Sequence, residues 1–277
     1  MTLFTIVEEK VVPVGTGFMI SPDGLMMTAK HVIDEAIARF DRHKKASGKY
    51  YDCCELYALL VDTERELNDP RNSLGAIIPV YKIWRTIELD IAYCFLHPIQ
   101  RNGVRYTFSV AKLSPGIPKL GSKVLGFGYY KMEGGIIVES GDFKRSNYSQ
   151  NTAFTRGVIT EVHRVQRDAA MLRFPCFRTD ARFDAGMSGG PIFNDFGSVC
   201  GVICSSFESV TNPPQYTSYG SLIWPALGTA LDEYDDDNRL IRSVTAFELA
   251  QKDIISCDET LSMISLDDNR AISIQSR

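Results

Sequence analysis

GTGFMISPDGLMMTAKHV, residues 15–32, holds two apolar runs separated by Ser-Pro-Asp-Gly and then a histidine. Each turn residue has a physical reason to be there. Proline presets φ, aspartate bonds its own backbone, and glycine tolerates the positive φ that a tight reversal needs. The stretch therefore reads as an antiparallel hairpin, GTGFMI returning as LMMTA. His31 follows where the return strand gives way to a helical pattern, KHVIDEAIARFDRHKK over 30–45, with apolar residues at 32, 33, 36, 37 and 40.

Further strands are expected from the same alternation of apolar runs and turn residues: DIAYCFL (90–96), SKVLGFGYY (122–130), FTRGVITEVHRV (154–165), AAMLRFPCFRT (169–179), GPIFNDFGSVCGVICSS (190–206) and SYGSLIW (218–224). NDFG at 194–197 marks a second hairpin turn. Many short strands at this spacing favour an all-β barrel or sandwich over a parallel sheet. A second helix is expected over SVTAFELAQKDIISC (243–257), capped by Ser243, and DEYDDDN (232–238) reads as a linker. The expected division is a body at 1–227 and an extension at 228–277.

The extension carries eleven acidic and five basic side chains in a chain of net charge −4, so the body is nearly neutral. That balance lacks the clustered basic face of a nucleic-acid binder, and RHKK at 42–45 reads as a solvated loop. No apolar run is long enough for a membrane span, and the N-terminal residues do not follow the pattern of a secretory leader. Seven cysteines, an odd number with Cys53 and Cys54 adjacent, suit buried free thiols in a reducing compartment, which points to the cytoplasm.

DAGMSGGPIF, residues 184–193, sets one serine among three glycines. A serine hydroxyl is a poor nucleophile unless a base takes its proton and a third group fixes that base. Of four histidines, His43, His97 and His163 read as exposed or structural. His31, at a strand-to-helix junction, is held rigidly enough to act as the base. Asp90, just before the apolar run IAYCFL, is the candidate orienting carboxylate, with Glu88 as the fallback. A carboxylate placed there needs a partner to offset its desolvation.

The order His31, Asp90, Ser188 is that of the chymotrypsin arrangement. With GTGFMISPDGLMMTAKHV, DIAYCFL, TRGVITEV and TDARFDAGMSGGPIFNDFGSVCGVICSS in succession, the chain resembles the trypsin-like serine peptidases, and among them the HtrA-type branch, over about residues 11–227. That resemblance implies two six-stranded antiparallel β-barrels with the site between them. It implies a His31–Asp90–Ser188 triad, an oxyanion hole from the loop amides of Gly186, Met187 and Ser188, and an extended substrate peptide paired to the strand at Cys204, Ser205 and Ser206. No metal or organic cofactor is implied, and the partner is a protein or peptide substrate.

The departures also matter. Met187 stands where secreted relatives carry an aspartate that pairs with a freed N-terminus, so that mode of activation is not expected. Val32 follows His31 in place of a disulfide cysteine. Arg182 falls where trypsin has an acidic pocket base. It either lines the specificity pocket and favours acidic or polar residues, or points outward and leaves a small apolar preference. Cys204 reads as buried packing. The acidic extension is the candidate site for a regulatory partner that switches the enzyme on. The competing reading is a catalytically silent peptide-binding module on the same fold, and a third is an esterase.

Overall fold

The computed structural model describes all residues except 48–54, 62–74, 87, 102, 141–142, 209–215, 235–238, 268 and 276–277. Twelve strands close into two antiparallel barrels of six. The first uses β1 (Thr2–Val7), β2 (Lys10–Met19), β3 (Leu25–Thr28), β4 (Leu56–Val61), β5 (Gly75–Arg85) and β6 (Ala92–Leu96), in the order β1-β2-β3-β6-β5-β4, with β4 returning to β1. The second uses β7 (Lys123–Gly134), β8 (Tyr148–His163), β9 (Cys176–Thr179), β10 (Pro191–Phe193), β11 (Val199–Glu208) and β12 (Tyr216–Leu222), in the order β8-β9-β12-β11-β10-β7. Closure pairs most of the sheet edges that would otherwise invite aggregation. This is the chymotrypsin-like architecture.

The hairpin expected at residues 15–32 is β2 and β3, with Gly17 opposite Thr28 and Gly24 at φ +112°. Ile20 N–H donates to Leu25 O across the turn. The second turn closes on Gly197 at φ +76°, where Asn194 Oδ1 accepts from the amides of Phe196 and Ser198. Helix α1 (Lys30–Ser47) begins directly after β3, as its apolar spacing requires. Val32, Ile33 and Ala36 are buried in the first barrel's core, beside Met26, Met27 and Tyr93. RHKK at 42–45, expected as a loop, continues this helix.

Other expectations need correcting. Of residues 169–179 only Cys176–Thr179 is strand. The preceding loop folds on Asp168, whose Oδ1 accepts from the amides of Ala170 and Met171. The last helix, α2, is Ala246–Gln251 rather than 243–257. Its cap is Thr245, not Ser243: Thr245 Oγ1 accepts from Glu248 N–H while Glu248 accepts from Thr245 N–H, a reciprocal capping box. The linker expected at 232–238 lies partly outside the described residues, and Glu233–Tyr234 pairs with Leu240–Arg242. Strands β1, β4 and β5 were not among the expected elements.

Residues beyond 227 pack back onto the first barrel. Leu231, Phe247, Leu249, Ile255 and Ile264 join its apolar core, each such side chain contributing about 1.5–3 kcal/mol of burial. Trp84 Nε1–H donates to Asp232 O at 2.8 Å, and Leu113 exchanges bonds with Ser256 O and Asp258 N–H, both at 2.8 Å. Just before this segment, the buried Tyr93 hydroxyl donates to Ala226 O at 2.9 Å. Among the described residues no helix is long and apolar enough to cross a membrane.

Candidate active site

The β3-to-α1 junction presents His31 at the second residue of the helix, with its side chain 44% exposed. Asp90, two residues before β6, is 13% exposed and meets it from the segment leading into the neighbouring strand. His31 N–H donates to Asp90 Oδ1 at 3.0 Å, and the ring Nδ1 lies 3.0 Å from Oδ1 and 2.9 Å from Oδ2. An ionised carboxylate can only accept, so Nδ1 carries the proton and the Nε2 lone pair is left available. Burial pulls the His31 pKa down, but the Asp90 hydrogen bond and charge, aided by Asp34, outweigh it and the net shift is upward.

Ser188 reaches the same region on a loop docked against the hairpin. Its carbonyl accepts from Thr16 N–H at 2.8 Å. A Cβ at Gly15 would lie 2.9 Å from Ser188 O and 2.6 Å from Val32 Cγ2, next to His31. A Cβ at Gly189 would lie 2.2 Å from Thr16 O and 2.9 Å from the amide nitrogen of Ala29, two residues before His31. Only glycine permits that approach, and Gly189 at φ +83° also occupies a region that disfavours a side chain. No hydrogen bond joins His31 to Ser188 among the described residues, and Ser188 is half-buried.

Of the three loop amides expected at the oxyanion hole, that of Met187 is engaged, donating to Asp184 O at 3.1 Å. The amides of Gly186, at φ +99°, and Ser188 have no protein acceptor among the described residues. Met187 is fully buried, and its sulfur accepts from Asp184 N–H at 3.3 Å, so an apolar side chain anchors the loop from beneath.

Nothing in the sequence singles out Thr16, yet it is the hub of this loop. Fully buried, it donates Oγ1–H to Gly186 O at 2.9 Å and accepts Tyr129 N–H at 3.1 Å on the same oxygen. Its carbonyl accepts from Thr28 Oγ1 at 2.7 Å. The middle residue of Gly-Thr-Gly thus binds both barrels to the serine loop. The only available signal was a polar residue inside an otherwise apolar strand.

Strand β11 pairs with β12 through Glu208, but β10 covers its other edge only to Val202. The next bonds on that edge go to the serine loop, Gly189 N–H to Ile203 O and Ile203 N–H to Gly190 O. Past them, the edge at Cys204, Ser205 and Ser206 has no strand partner among the described residues. Cys204 fills the bulge opposite Tyr219; its buried thiol lies 3.1 Å from Tyr219 O, and burial raises its pKa well above the usual value. Ser206 Oγ lies 2.7 Å from Ser218 Oγ. Arg182 is 52% exposed, held by Asp184 Oδ1 at 2.7 Å and stacked 5.2 Å from the Tyr216 ring. Elsewhere, His163 bonds Glu161 and His97 packs on Tyr81. Cys94, Cys176, Cys200, Cys204 and Cys257 are free thiols, while Cys53 and Cys54 lie outside the described residues.

The family description "Trypsin-like peptidase domain" matches residues 15–202. Among curated protein sequences no relative matches. Among solved structures, the chain is similar to the apo protease domain of MamO from Magnetospirillum magneticum, at 14% identity and TM-score 0.47 over 80% of this chain and 91% of that one. It is similar to Deg5 at 17% identity and TM-score 0.47 over 80% and 82%. It is also similar to AlgW, an HtrA-type protease solved with a decapeptide, at 16% identity and TM-score 0.44 over 76% of this chain and 49% of that chain. With the family match spanning more than half of its length, the chain belongs to the trypsin-like peptidase domain family.

Proposed function

We propose that the chain is a serine endopeptidase. His31 Nε2 takes the Ser188 proton as Oγ attacks the peptide carbonyl. The carbonyl oxygen gains negative charge against the amides of Gly186 and Ser188, one such donor contributing roughly 3–4 kcal/mol to the transition state. The C–N bond breaks as His31 passes the proton to the leaving amine, giving an acyl-enzyme. Water, deprotonated by His31, then releases the acid and restores Ser188. Asp90 keeps the imidazole in the Nδ1–H tautomer throughout. The open edge at Ser205–Ser206 receives the acyl half of the substrate as an added strand. The observation that carries this reading is the His31–Asp90 pairing beside a serine loop with two amides lacking protein acceptors.

A second reading rests on the missing His31–Ser188 bond: the fold binds peptides without cutting them. Catalytic hydrogen bonds often tighten only with substrate bound, so the open contact also suits an enzyme at rest. Closure of that contact is the step that a substrate, or a regulatory protein acting through residues 228–277, would drive. Proteome-wide mapping of new N-termini separates the readings. Cleavage sites made by the wild type and lost in Ser188→Ala support the peptidase, whereas identical patterns support the binder.

A further inference from the structure

An open cleft of about 730 Å³ adjoins Gly186, lined by residues of β2, β7, α1 and the serine loop, with no β11 residue among them. If the acyl half of a substrate lies on the β11 edge, the leaving half departs from the scissile carbonyl in the opposite direction. It crosses Gly186 toward Val14 and Tyr130, and so enters this cleft. We propose that the cleft is the leaving-group subsite of the peptidase and that it selects a carboxylate within about four residues after the cut bond. This rests on the endopeptidase reading above.

Charge is the first observation. Arg39, Lys131 and Arg182 line the cleft against one carboxylate, Asp184. Asp184 is held by Arg182, and Glu35, just outside the lining, by Arg39 at 2.6 Å. The lining therefore keeps a cationic surplus next to the position where the leaving group emerges. Reach is set by α1: Arg39 is eight residues from His31, about 12 Å along the helix, and an extended peptide covers that in about four residues.

Backbone conformation is the second, independent observation. The β7–β8 ladder shifts register between Ser149 opposite Glu133 and Asn151 opposite Tyr130, which leaves Lys131 and Met132 facing a single residue. Lys131 sits in this bulge at φ +47°, a conformation that disfavours any residue with a Cβ. Bulges of this kind re-aim side chains beside active sites. Here the bulge presses on the serine loop, since a Cβ at Gly186 would lie 2.7 Å from Met132 Cε and 2.9 Å from Tyr129 O. The exposed Lys131 ammonium, 5.9 Å from the Tyr130 ring centre, is thereby delivered to the cleft rim.

The test has two arms. In the first, the wild type, Arg39→Gln and Lys131→Gly cut one pool of natural peptides, offered with free or amidated C-termini. Glycine suits φ +47°, so Lys131→Gly removes the charge without a folding penalty. Expected is a roughly 3- to 10-fold enrichment of carboxylates within four residues after the cut in the wild type, reduced in both variants and at high salt. Enrichment that survives amidation assigns side chains, and enrichment lost on amidation assigns the chain end. Equal frequencies, or enrichment unchanged in both variants, overturn the proposal. The second arm needs no chemistry: a fluorescent Glu-Glu tetrapeptide amide and its Gln-Gln counterpart are titrated into Ser188→Ala by anisotropy. Tighter binding of the acidic peptide supports the cleft even where no Ser188-dependent cleavage exists, an outcome that would count against the peptidase reading alone. Equal binding overturns the cleft assignment whatever the cleavage result.

Discussion

Replacing Thr16 by valine keeps the branched shape and removes one hydroxyl. That hydroxyl serves two partners, the Gly186 carbonyl at 2.9 Å and the Tyr129 amide at 3.1 Å, at a fully buried position. Each partner left unsatisfied costs about 1–3 kcal/mol, so a loss of about 2–6 kcal/mol is expected. For a chain of this size that lowers Tm by roughly 4–10 °C. The catalytic effect has a separate origin. Thr16 Oγ1 holds the peptide between Gly186 and Met187, and with it the aim of the neighbouring loop amides. Slackening that hold is expected to slow acylation by about 10- to 100-fold, below the 10²–10³ for outright loss of one oxyanion donor. Thermal melts and single-turnover acylation on the same preparations measure both effects. Thr16→Ser restores the hydroxyl and is expected to recover most of the rate. Wild-type melting and acylation in Thr16→Val would refute the role of this residue, and failure of serine to rescue would assign the loss to packing instead.

Three other outcomes are expected. Catalysis needs neutral His31, whose pKa Asp90 raises above the usual 6.5 against the pull of burial, so kcat/KM should rise with pH through a raised pKa. Asp90→Asn should lower the plateau by about 10⁴, or some 5–6 kcal/mol, and move the acid limb to lower pH; an unmoved limb would show that Asp90 does not set the His31 charge. Gly189→Ala must fit a Cβ 2.2 Å from both Thr16 O and Thr28 Oγ1 at φ +83°, and should yield a protein destabilised by more than about 3 kcal/mol in denaturant melts. Iodoacetamide should leave activity intact, because burial raises the Cys204 thiol well above its usual pKa; rapid inactivation traced to Cys204 would contradict its packing role.

The sequence was most legible where backbone chemistry is local. Pro22-Asp23-Gly24 and Asn194 to Gly197 dictate their turns, and the apolar spacing from Val32 to Phe40 dictates α1. β5 was hidden because Pro79 interrupts it: a proline lacks the ladder donor and usually marks a strand end. The strand tolerates it because Pro79 faces Tyr57 on β4 and the β5–β6 ladder shifts register just beyond, between Val80 and Lys82. The last helix is shorter than its apolar periodicity suggests, because the Thr245-x-x-Glu248 cap already written in the sequence sets its start. Of the candidate site, the His31–Asp90 pairing was legible from residue type and position, and the geometry brings those two together. Thr16 was not legible, since its importance lies in groups 113 to 172 residues away that only the assembled barrels place beside it.

The most direct test is covalent labelling with a fluorophosphonate, read by intact mass and peptide mapping. The expected result is one adduct on Ser188, absent from Ser188→Ala and formed far more slowly in His31→Ala. A wild-type chain whose Ser188 stays unmodified with peptide substrate and cell extract both present would contradict the catalytic assignment.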